Sequence, residues 1–205
     1  MPLRSLHRAS AFVLVAYALL HIGNHLAALH SVTSHISVMN ALRVAYRQPL
    51  IEGLLLICVL SQVVSGLGLA IRGWAAIEGR VARLQAVSGI YLALFLLIHV
   101  SAVLLGRAML GLDTNFYFAA AGFHVAPFKW FFAPYYFLAV LALFAHVGCA
   151  LYWRFHSSAP RRAKMGLAGA LIAGTAASLA ISLSLAGKLQ PVRIPAEYTA
   201  PYGMK

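Results

Sequence analysis

The sequence predicts an all-α integral membrane bundle of five transmembrane helices, a four-helix core with a fifth helix packed against it. Three observations carry the prediction. Hydrophobic residues make up 62% of 205 positions and charged residues only 10%, where soluble domains carry about 25% charged. Five stretches are long enough to span a bilayer, at 9–29, 50–71, 84–105, 130–153 and 165–186. The Lys and Arg residues gather at the ends of these stretches, where snorkelling side chains reach the headgroups. The first stretch is too long for a signal-peptide core and runs into histidine-bearing sequence rather than a small-residue cleavage site, so it counts as a span.

Between the first two spans, Ile36, Met39, Asn40, Arg43, Val44 and Arg47 recur at near-helical spacing, which predicts a short amphipathic helix on the outer surface. Gln48-Pro49 then opens the second span with proline in the tolerated first turn. The longest connection, 108–129, is aromatic and nearly uncharged, and Phe116, Tyr117, Phe118, Phe123 and Phe128 are expected to lie on the membrane face. The fifth span has small residues at Gly166, Gly169, Ala170, Gly174, Ala177 and Ser178 and reads as a packing helix. Pro191, Pro195 and Pro201 predict an irregular tail, so the chain divides into a membrane domain at 1–187 and a tail at 188–205.

The net charge of +12 does not mark a nucleic-acid binder, because the basic residues form no soluble face. They set topology instead. Arg4, Arg8, Arg72, Arg80, Arg83, Arg154, Arg161, Arg162 and Lys164 fall on one side. Arg43, Arg47, Arg107, Lys129, Lys188, Arg193 and Lys205 fall on the other. The richer side, with its Arg161-Arg162-Ala163-Lys164 cluster, predicts a cytoplasmic N-terminus and an external C-terminus in a bacterial inner membrane. Cys58 and Cys149 both fall inside spans and read as small core residues. The absence of Cys-x-x-Cys-His excludes covalent c-type haem attachment.

An internal repeat organises the chain. At a constant offset of 78, Leu6 pairs with Leu84, Ser10 with Ser88, Tyr17 with Phe95 and His21 with His99. Each histidine lies 11 residues past its serine on spans that run the same way, so the two imidazoles share one depth. Ionisable side chains inside a span face the bundle interior and mark function. Two imidazoles facing each other across a bundle suit the axial positions of one buried haem b. The plainer alternative is a pair of core histidines bonded to serine or carbonyl groups.

Other candidates stand beside this pair. His25 is one turn beyond His21 and could replace it as ligand or line a pocket. His146 is level with Gln62, which leaves it to bind a five-coordinate haem, pair with Gln62 or hydrogen-bond a quinone. His30, His35, His124 and His156 fall in connections, where a solvated histidine is the ordinary case. Glu52 could relay a proton or pair with Arg43 or Arg47. His7, Arg8 and Ser10 could hold a quinone carbonyl at the membrane interface.

These residues together resemble the single-chain, five-helix cytochrome b anchor of succinate dehydrogenases and fumarate reductases. The resemblance covers most of the chain: Leu6-His7-Arg8-Ala9-Ser10, His21 with Asn24, Arg47 to Glu52, Gln62 with Gly66, Arg83-Leu84-Gln85-Ala86-Val87-Ser88-Gly89 running to His99, Ala145-His146-Val147-Gly148 and Pro160-Arg161-Arg162. It implies that His21 and His99 ligate the haem distal from soluble subunits. It also implies a proximal haem on His146 and a histidine at position 62, where this chain has Gln62. His7, Arg8 and Ser10 then match a quinone region and Glu52 a quinol-site carboxylate. The implied function is electron transfer between membrane quinone and flavoprotein and iron–sulfur subunits docked on the cytoplasmic face. The chain itself carries no flavin or nicotinamide fingerprint and no cluster cysteines. The alternative is a haem-poor relative with a structural or assembly role.

Overall fold

The computed structural model describes residues 3–203, and those residues fold entirely into helices and connections. In chain order the helices are α1 (Leu3–Ala27), α2 (Val32–Tyr46), α3 (Pro49–Gly73, extended by a 3₁₀ turn at Trp74–Ala76), α4 (Arg80–Ala108), α5 (Phe116–His124), α6 (Lys129–Phe155), α7 (Pro160–Leu185) and α8 (Ala196–Thr199). Five of them, α1, α3, α4, α6 and α7, are long and apolar enough to cross a membrane. The all-α bundle expected from composition therefore forms, with the spans starting between one residue (α3, α6) and six residues (α1) earlier than hydropathy marks them. Lys205, counted in the charge balance, lies outside the described residues.

Local chemistry sets the helix starts. Pro49 and Pro160 occupy first turns, where a missing N–H costs nothing. Ser31 caps α2 by accepting from the Ser34 amide at 2.9 Å, and Asn115 caps α5 by accepting from the Tyr117 amide at 2.9 Å. The turn into α4 is made at Gly79, whose φ of 81° lies in the region that favours glycine.

Packing follows residue size. α3 pairs with α1 and with α4, α4 pairs with α6, and α7 runs along α6. The last contact is close because it is built on glycine: a Cβ at Gly148 would lie 2.8 Å from the Ala170 Cβ, and one at Gly174 would lie 2.6 Å from the Phe144 Cβ. Small-residue contact of this kind is how helices associate where lipid offers no hydrophobic drive. Phe12, Leu50 and Ile172 are at least 72% exposed on the outer faces, as lipid-facing side chains of a membrane bundle would be.

The end of the bundle remote from the N-terminus is closed by the connections. α2 is the surface helix that the spacing predicts. The aromatic connection turns partly inward: it contains α5, which buries Phe116 and Phe123 against Ile22, Ile181 and Leu185. Nor is the tail wholly irregular. Asn115 donates to the Tyr198 hydroxyl at 2.9 Å, Gln190 donates to the Ala28 carbonyl at 2.6 Å, and Tyr198 is buried. Both corrections have one cause, since the open end of a five-helix bundle exposes apolar surface that only these segments can cover.

Candidate functional site

α1, α3, α4 and α6 enclose a cavity of about 1220 Å³ that runs from Arg4 and His7 at one end to Glu52, Arg107 and Asn115 at the other. Pockets for single small molecules occupy roughly 300–1,000 Å³, so this one has room for a large planar ligand or several ligands. Most of its wall is aliphatic, and histidines interrupt that wall at two levels.

At the level near the C-terminal end of α1, His21 and His99 face each other with ring centroids 6.2 Å apart. Each ring is braced by the aromatic residue four positions earlier on its own helix. Tyr17 stacks on His21 at 5.8 Å and Phe95 stacks on His99 at 4.9 Å, both with planes 14° apart. The repeat seen in sequence is thus a repeat of geometry. It extends to the serines, since Ser10 Oγ donates to the Leu6 carbonyl at 2.9 Å and Ser88 Oγ to the Leu84 carbonyl at 2.7 Å. Neither His21 nor His99 makes a hydrogen bond among the described residues, and both line the cavity.

This spacing meets a simple test. A metal–imidazole nitrogen bond is about 2 Å, so two axial rings on one iron have centroids about 6 Å apart once the ring radii are added. The 6.2 Å between the His21 and His99 rings matches that separation. His25 is edge-on to His21 at 4.8 Å and 5.0 Å from His35, so it stands beside the pair rather than opposite His99.

His35 departs from its sequence reading as a solvated loop residue. It lies on α2, is 2% exposed, bonds Asn24 Nδ2 through Nε2 at 3.2 Å and packs edge-on to Phe116 at 5.4 Å. Burial, then the charges of His21 and Arg43, push its imidazole down to about 4. Its Nδ1 and the Asn24 Oδ1 are buried without partners among the described residues. Of the other three connection histidines, His30 and His124 are exposed, with His124 Nε2 donating to the Leu185 carbonyl at 2.9 Å, and His156 is half-buried.

Glu52 pairs with Arg107 rather than with Arg43 or Arg47, which turn instead to Asp113 at 2.7 Å and 3.8 Å. The reason is position: Glu52 is in the first turn of α3 and Arg107 in the last turn of α4, each at the helix end whose dipole favours its charge.

At the N-terminal end of the cavity, His7 and His146 face each other with centroids 6.4 Å apart. His7 Nδ1 bonds Ser65 Oγ at 3.0 Å, and His146 Nδ1 bonds the Gln85 carbonyl at 3.0 Å. Gln62, level with His146 by sequence, instead donates through Nε2 to the His7 carbonyl and to Ser10 Oγ, at 2.5 Å and 2.9 Å. It fastens α3 to the start of α1. Arg8 lines the cavity mouth with its side chain exposed.

No family model matches the chain, and neither a curated protein nor a solved structure matches it. Among the described residues no three His, Cys, Asp or Glu side chains converge as a bare metal site. A porphyrin brings four nitrogens of its own, so two histidines would supply enough protein ligands for a haem where they would not for a zinc ion.

The His7–His146 pairing is the relation that the sequence reading missed. The signal was present: His7 precedes His21 by 14 residues, close to four helical turns, so both lie on one face of α1.

Proposed function

We propose that the chain is a membrane-anchor cytochrome b-like subunit of a succinate:quinone oxidoreductase or fumarate reductase type complex. His21 and His99 would hold a b-type haem, and the chain would pass electrons between a soluble flavoprotein and iron–sulfur partner and membrane quinone. The observation that carries the reading is the 6.2 Å approach of the two rings, each braced by a stacked aromatic side chain. A haem whose axial positions are both taken by protein exchanges single electrons.

The rest of the cavity suits this work. Its mostly aliphatic wall would lower the local dielectric around a bound cofactor. Glu52 and Arg107 stand at the end remote from the N-terminus, where a quinone could enter from lipid and exchange a proton. Arg161, Arg162 and Lys164 are exposed at the N-terminal end of the bundle. By the positive-inside rule that end faces the cytoplasm, and these charges offer a docking surface for acidic soluble subunits.

The test is spectroscopic. The protein purified in detergent should show b-type bands in a dithionite-reduced minus oxidised spectrum, with haem quantified as its pyridine adduct. His99→Ala should remove haem from the His21 site. Well-folded protein without b-type bands would exclude the haem reading and favour a structural or assembly role. Copurification of a flavoprotein from native membranes would support the partner assignment.

A further inference from the structure

The His7–His146 pair repeats the ring spacing of His21–His99, at 6.4 Å against 6.2 Å, and adds something that pair lacks. Its hydrogen bonds define which nitrogen is bare. A carbonyl can only accept, so the 3.0 Å contact with Gln85 requires His146 to carry its proton on Nδ1. Ser65 gives its single hydroxyl hydrogen to the Ser61 carbonyl, so at 3.0 Å it accepts from His7, whose proton is also on Nδ1. In neutral rings this leaves both Nε2 atoms as unprotonated lone-pair donors. Neither has a hydrogen-bond partner among the described residues, and both residues line the cavity. A metal-binding histidine is normally arranged in this way, with the far N–H anchored to a carbonyl or polar group and the ligating nitrogen free.

The same bonds argue against His7 as a quinone donor. A quinone carbonyl needs an N–H, and the one that His7 has is given to Ser65. The surroundings are cleared for the rings as well. A Cβ at Gly89 would lie 2.8 Å from His146 Cε1 and one at Gly66 would lie 3.3 Å from His7 Cε1. The His146 ring therefore occupies space that a side chain at Gly89 would fill, and the His7 ring lies in tight contact with the position at Gly66.

We propose that His7 and His146 are the axial ligands of a second haem at the N-terminal end of the cavity. The pairing joins α1 to α6 and takes its first ligand from α1, not from the Gln62 position on α3. Gln62 becomes a positioning residue, since its amide holds the α1 backbone at His7. Along α1 the two levels are 14 residues apart, about 21 Å at the helical rise, which places them on either side of the bundle's midpoint. This proposal rests on the reading of the cavity as haem-binding.

The experiment is haem stoichiometry and ferric EPR on the full-length protein and its variants, with circular dichroism as the folding control. Wild type should hold two haems per chain and give two low-spin signals. His7→Ala and His146→Ala should each hold one and lose the same signal, while His99→Ala loses the other. His146→Met, which keeps an axial donor, should retain both haems with the potential of one raised, as Met/His ligation does. One haem per chain that survives His7→Ala and His146→Ala overturns the inference and leaves the His21–His99 site standing. One haem that His99→Ala spares and His146→Ala removes supports the inference and overturns the first site. Folded protein with no haem, or with copper alone by elemental analysis, overturns both.

Discussion

The ring of His99 lies parallel to that of Phe95 at 4.9 Å, and Tyr17 does the same for His21 at 5.8 Å. Under the proposed function, a ligand ring that makes no hydrogen bond needs some other constraint on its rotation, and a stacked neighbour one turn earlier supplies it. Phe95→Leu keeps apolar volume but removes the flat surface. The variant should keep haem at close to wild-type stoichiometry while its low-spin EPR signal broadens or shifts, because that signal follows ligand-plane orientation. An unchanged signal would show that stacking does not set the His99 ring.

Gly89 and Gly66 provide a graded test of the second pair. Alanine at Gly89 must displace the His146 ring, at about 1–3 kcal/mol for overpacking, partly offset by about 1 kcal/mol of helix propensity. Gly89→Ala should therefore cut total haem by about half through loss of one site, and Gly66→Ala, with a contact of 3.3 Å rather than 2.8 Å, should lose much less. Pyridine adduct quantitation of both variants checks the order. Equal haem in the two would count against the His146 site.

Much of this was legible in the sequence, for physical reasons. Five spans follow from the apolar runs a bilayer demands, and the offset of 78 placed His21 and His99 at one depth because two helices of equal register reach equal depth. The His7–His146 pairing is harder to see, because depth sets His146 level with Gln62 on α3 whereas the ring beside it comes from α1. His35 could not be found locally. A histidine in a polar connection reads as solvated until α2 folds back over the bundle and Asn24 meets it. The Glu52–Arg107 pair likewise depends on how α3 and α4 meet, which no spacing within either helix reveals.

Glu52 and Arg107 are both about one-third exposed, so their pairing adds little to stability, about 1 kcal/mol or less. Its value under the proposed function is chemical. Glu52→Gln keeps the shape and removes the proton site. It should leave haem content and thermal midpoint near wild type and slow reduction of the bound haem by a soluble quinol at least tenfold. Wild-type rates in Glu52→Gln would remove this carboxylate from quinone chemistry.

His35 gives the bundle a pH dependence whose direction can be worked out. Its ordinary value is 6.5, and in the folded protein burial, His21 and Arg43 lower it to about 4. The groups around it are His21, Asn24 and His25 of α1, Phe116 of α5 and Arg43 of its own helix, and none carries negative charge. Between these two values the unfolded chain takes up a proton that the folded one refuses. Stability is therefore complete above about pH 6.5 and falls as the pH drops towards 4. The thermal midpoint followed by circular dichroism should decline across that window. His35→Gln, which cannot titrate, should begin lower at neutral pH because its packing on Phe116 is lost, and it should then decline less steeply. A slope in His35→Gln as steep as in wild type would assign the acid sensitivity to other histidines of the cavity.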